Sequence, residues 1–146
     1  MSRVLFGILI AALFLASTFF NSTSAVAQVT AKIEVTPPNL PSSAVVDQSV
    51  TIGGYASVVI ANNSDKLAIV SYVLSIRDSR GKVDLEKKSS VCIVDPYTSK
   101  SFRVSGPTEA TYNSPGTITV TCAAEVSFDG VKKKDSKSGS FKVAPE

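Results

Sequence analysis

Histidine and tryptophan are absent from this 146-residue chain, and cysteine occurs only twice. Without histidine the usual general base and the commonest zinc ligand are both missing. Two cysteines alone do not complete a standard structural zinc site, and a catalytic thiol would have no imidazole to activate it. No glycine-rich phosphate loop and no serine-nucleophile elbow appear. Charge is scarce too: 15 Lys and Arg against 12 Asp and Glu leave +3, too mild a balance for a nucleic-acid partner. Nor does any stretch sustain helical periodicity. These absences point away from an enzyme and imply no cofactor and no metal site.

What is present begins at the N-terminus. Arg3 supplies a positive charge, Val4 to Ala16 is apolar but for Gly7, and Ala25-Val26-Ala27 has the small-x-small form that signal peptidase accepts. Residues 1–27 are expected to be a secretory signal, cut between Ala27 and Gln28. Residues 28–146 then form one extracytoplasmic domain, secreted or at the cell surface. The competing expectation is a retained membrane anchor. The run from Val4 to Phe20 is 17 residues, short of the roughly 20 that a spanning helix needs. No Lys or Arg follows it before Lys32.

In an exported domain, Cys92 and Cys122 are expected to pair. The bridge would close a loop of about 31 residues and stabilise the fold by roughly 3–4 kcal/mol. The alternative is two buried free thiols.

Strand patterns fill the remainder. Val29, Ala31, Ile33 and Val35 alternate with Thr30, Lys32, Glu34 and Thr36, the mark of a half-buried strand. Pro37-Pro38 is expected to end it. Ser49–Ala61 is a second strand, with a bend at Gly53-Gly54. Leu67–Asp78 follows a turn cluster at 62–65, and the segment 78–82 is a hairpin turn with Gly81. Val83–Val94 holds one strand or two; Lys100–Ser105, Thr117–Val126 and Ser138–Val143 complete the set. Residues 106–116, with two prolines, read as a long connection. About seven short strands with turns every eight to fifteen residues predict an immunoglobulin-like two-sheet β-sandwich. With no tryptophan to pack on a disulfide, it is not of the antibody type.

Three pieces in order, VVIANNSDKLAIVSYVLSIRDSRGKV, IVDPYTSKSFRVS and PGTITVTCAAEV, carry a resemblance. They are similar to extracytoplasmic sandwich modules of prokaryotes: the cell-adhesion-related domain of bacteria and archaea, and the FxLYD-like domains. The matching features are turn and strand grammar across about half of residues 28–146. The corner here is Asp-Pro-Tyr-Thr-Ser where relatives more often show Pro-Gly. The resemblance implies a sandwich and a role in surface display or assembly, and it brings no catalytic residues.

Four features carry functional expectations. Asn62-Asn63-Ser64 is a glycosylation sequon, with Asn62 as acceptor, or else plain turn chemistry. Lys132-Lys133-Lys134 is a charged hairpin tip or edge, or else a contact for an anionic surface or glycan. Asp78, Asp84 and Glu86 lie near one hairpin but lack the spacing of a calcium loop. Residues 28–36 are the first strand of their own sheet, or a donor strand that completes a neighbour's sheet. The leading expectation is a non-catalytic binding or adhesion module that meets a protein or glycan at the cell surface. The alternatives are a pilus-like subunit assembling through residues 28–36, and a membrane-anchored accessory protein with a retained N-terminal segment.

Overall fold

The computed structural model describes residues 28–146. The expected signal peptide, with Ala27, lies outside the described residues; Gln28, the first of them, is exposed. Nine strands and no helix make up the rest: β1 (Val29–Asn39), β2 (Ser43–Val45), β3 (Ser49–Asn62), β4 (Ala68–Asp78), β5 (Asp84–Val94), β6 (Ser99–Ser105), β7 (Thr108–Thr111), β8 (Gly116–Phe128) and β9 (Val131–Ala144).

They form two sheets. One runs β1-β3-β6, with β7 pairing the first part of β3; the other runs β2-β9-β8-β4-β5. Every pairing is antiparallel except β2 with β9, which is parallel over Ser43–Val45. The chain therefore crosses from one sheet to the other between β1 and β2.

The alternation read from the sequence sets which face is buried. On β4, Val70, Tyr72, Leu74 and Ile76 point inward; on β8, Ile118, Val120, Cys122, Ala124 and Val126 do so. Val35, Val58 and Ile60 meet them from the other sheet. Each such aliphatic side chain stabilises the fold by about 1.5–3 kcal/mol relative to exposure. Two aromatic pairs help to join the layers. Tyr72 stacks on Phe102 with centroids 4.4 Å apart, and Tyr112 meets Phe141 edge-on at 5.9 Å.

Several expectations need correction. Pro37-Pro38 does not end β1, which reaches Asn39 through a register break after Thr36. Proline lacks the N–H a ladder needs, yet an edge strand interrupted by a bulge tolerates it. Two strands were not expected: β2 and β7 hold three and four residues, too few to show alternation. Of the one or two strands expected within Val83–Val94, one forms, Asp84–Val94, bulged opposite Ser71.

The expected disulfide is also absent, and both cysteines are free. Cys92 stands opposite Val70 on one flank of β4; Cys122 stands opposite Ile76 on the other. The rise of about 3.3 Å per residue puts them roughly 20 Å apart along that strand. A disulfide needs Cα atoms within about 7 Å. Inward alternation was read correctly for both residues, but it does not measure distance along a sheet.

Candidate binding surfaces

The outward residues of β4, β8 and β9 floor a shallow trough on the exposed face of the five-stranded sheet. Val73, Ser75, Thr121, Ala123 and Ser136 are small, and the sheet is hollow there by about 600 Å³. Its rims are charged. On one side Arg77 lies 3.3 Å from Asp84 and also pairs with Glu86, which meets Lys88 at 2.5 Å. On the other side Lys134 lies 2.8 Å from Glu125.

These ion pairs set the titration of two rim carboxyls. The hydrogen bond from Lys88, helped by Arg77, holds the Glu86 carboxyl below its ordinary range. Lys134 does the same for Glu125. A carboxyl pushed down is poorly suited to act as a general acid. Glu86 and Glu125 are thus ionised at neutral pH, and the rim's paired charges are balanced in sign. Such a surface discriminates by hydrogen bonding and shape more than by net charge.

At one end of the molecule Asp78 ties three segments together. Its Oδ1 accepts from the Arg80 and Lys82 amides, both at 2.9 Å, closing the β4–β5 turn. Its Oδ2 accepts from the Tyr112 hydroxyl at 2.5 Å. Arg80 Nη1 donates to the Ser114 carbonyl at 2.7 Å, and Nη2 to that of Pro115 at 2.9 Å. The connection before β8, part of the stretch read from sequence as one long connection, is pinned to the hairpin. Burial, and then the bond to Asp78, pushes the Tyr112 hydroxyl well above its usual titration range.

Asn62, the expected glycosylation acceptor, is fully buried. Its Nδ2 donates to the carbonyls of Lys66 at 2.7 Å, Val94 at 3.0 Å and Asp95 at 3.2 Å. Its Oδ1 accepts from the Ser64 amide and hydroxyl. The nitrogen that would carry a glycan is committed inside the fold, so the sequon is turn chemistry, and the glycosylation expectation is corrected.

Residues 29–36 pair with β3 from Val29 opposite Asn62 to Thr36 opposite Tyr55. They are the first strand of their own sheet. Lys132, Lys133 and Lys134 lie on β9 beyond the short cover of β2, where that strand's free side is an edge. Among the described residues no cluster of three or more His, Cys, Asp or Glu could hold a metal ion.

Two features escaped the sequence reading. The trough had a signal, the run of small residues Ser75, Ala123 and Ser136 at outward positions. The Tyr112–Asp78 bond had none, since 34 residues separate the partners.

No family model matches the sequence, and no curated protein does. Among solved structures, the putative ApaA protein from Bordetella pertussis is similar at 16% identity over 82% of this chain and 97% of its own, with a TM-score of 0.35. A beta-glucosidase from Listeria innocua, in complex with gluconolactone, is similar at 14% identity and a TM-score of 0.30. That match covers 80% of this chain and only 16% of the enzyme. At these scores the likenesses carry no argument about function.

Proposed function

We propose that this chain is an exported, non-catalytic binding module of immunoglobulin-like build. Its ligand face is the outer side of the five-stranded sheet. Three further features support that reading: the signal-like N-terminal sequence, the strand order β9-β8-β4 facing β1-β3, and the crossing of the chain between sheets after β1. The observation that carries it is the trough over Ser75, Ala123 and Ser136, with its paired charges. Small side chains at successive outward positions leave room for a partner's side chains or sugar rings. The ion pairs on the rim present donors and acceptors already oriented.

A protein or glycan at the cell surface is the partner class. Pairing of β1 with β3 inside the chain favours this module over a pilus-like subunit that lends the strand to a neighbour.

A photo-crosslinking residue at position 136, in the full chain expressed in its own host, tests the reading. It should give one dominant adduct, and Ala123→Arg, which fills the trough, should abolish that adduct while leaving the circular dichroism unchanged. No adduct above background, or an adduct indifferent to Ala123→Arg, would sink the proposal.

A further inference from the structure

The large exposed apolar side chains of the described residues gather towards one end: Leu67, Ile69, Val91, Ile93, Tyr97 and Val131. The register brings them together. Ile69 is paired with Ile93; the next residue on β4, Val70, is paired with Phe128, which in turn faces Val131. Tyr97 projects from the turn between Asp95 and Thr98, which docks through the Asn62 amide bond to the Thr98 carbonyl at 2.8 Å. A groove of about 300 Å³ at this end is lined by Val29, Leu67, Ala68, Ile69, Phe128 and Asp129. Val29 is where β1 begins, joined through Gln28 to the segment that carries the apolar run Val4–Ala16.

Tyr97 adds a separate observation. It has φ of 55° and is 73% exposed. Behind Pro96 this is the turn position that glycine normally takes. A bulky residue held there is a genuine outlier, fixed by the hydrogen bonds of its turn to Asn62 while its own side chain stays in solvent. Strain of this kind gathers at functional surfaces.

We propose that this end of the domain lies on a lipid bilayer, with Tyr97, Ile69 and Ile93 entering the interface. This goes beyond the ligand reading of the trough and does not depend on it, and it takes the alternative in which residues 1–27 are retained rather than cut after Ala27. The site of chain entry is the main argument, since the apolar N-terminal segment leads into the same end that exposes the apolar side chains. Tyrosine with flanking aliphatic residues suits the boundary between headgroups and acyl chains. Charge does not decide the matter. Lys66, Lys100, Lys132 and Lys133 are nearly balanced by Asp65, Asp95 and Asp129 at the same end, so binding should need no anionic lipid and should depend weakly on salt. A second copy fits less well. The free edge of β5 is blunted by Ser89 Oγ on the Val91 carbonyl at 3.0 Å, by Lys100 Nζ on the Ile93 carbonyl, and by Lys87 at a core-side position opposite Leu74.

The absence of tryptophan makes the test clean. Tyr97→Trp gives the full chain a single reporter at the apolar end, and Thr117→Trp places one at the other end of β8. Each is mixed with phosphatidylcholine vesicles whose acyl chains are brominated. The Tyr97→Trp emission should shift to the blue and be quenched, while that of Thr117→Trp should not. Adding Ile69→Ser and Ile93→Ser to Tyr97→Trp should weaken the quenching response about tenfold or more, with the melting curve confirming the fold. A protein held only by its N-terminal segment would leave both reporters unquenched. That result overturns the proposal, as does equal quenching at both positions. A blue shift without lipid that grows with protein concentration would instead assign the surface to a second copy.

Discussion

Gly54 on β3 lies directly against Cys122 on β8, across the interior between the two sheets. A Cβ at position 54 would stand 2.8 Å from Cys122 Sγ and 3.1 Å from Pro38 Cα, and the backbone there has φ of 155°. Cys122 therefore faces no second cysteine across the core but the one residue type with no side chain.

Gly54→Ala should accordingly destabilise the domain by about 2–3 kcal/mol, through overpacking and an unfavourable φ. Cys122→Ala in the same chain removes the sulfur contact but leaves Pro38 and the dihedral. The double variant should then recover only part of the loss in a double-mutant cycle of melting temperatures. Complete recovery, or strict additivity, would contradict this packing.

Both thiols should be free. Denatured, unreduced protein should titrate two thiols, and reductant should leave the melting temperature unchanged. In the native state Cys92 should react with a maleimide and Cys122 should resist. Cys122 is buried, and burial pushes its thiol up, away from the reactive thiolate. No titratable thiol in the denatured, unreduced protein would restore the disulfide.

Tyr112→Phe should cost about 1.5–3 kcal/mol, the worth of a hydrogen bond to a charged acceptor. The pH dependence has a definite sign. The folded state holds the Tyr112 proton to higher pH than an unfolded tyrosine, which loses it near 10. Its contribution is therefore complete below about pH 10 and is lost as pH rises beyond that. Denaturant titrations should show a fall in stability above pH 10 that is shallower in Tyr112→Phe.

Asn62→Ala should destabilise by about 2 kcal/mol or more, because the buried Val94 carbonyl loses this donor and the Ser64 turn loses its acceptor. Asn62→Asp should fail similarly, since it puts an acceptor against acceptors. Material from a glycosylating host should carry no glycan mass at this position. An occupied site on a normally stable protein would refute the buried arrangement.

The contrast between Asn62 and Val70 shows what the sequence could convey. Alternation along Leu67–Asp78 and Thr117–Val126 identified the buried faces of β4 and β8, because burial on one side of a strand leaves a period of two. Nothing in the motif around Asn62 tells a solvated turn from a buried one. That depends on Val94 and Asp95 arriving from more than thirty residues away. The two cysteines failed as a pair for the same reason: each was assigned the right face, but their separation is set by the register of β4 with both neighbours. The trough lies between these cases, its small outward residues visible beforehand and its concavity not.

The crossing of the chain from β1 to β2 has a mechanical consequence. β2, close to the start of the domain, lies parallel to β9, which ends it. Tension applied across β2 and β9 would pull these strands along their length in opposite directions, loading their shared hydrogen bonds together rather than one at a time. Three residue pairs form a short clamp. Its placement means that, once β1 has left β3, a load carried on to β2 and β9 would be resisted in shear rather than by unzipping.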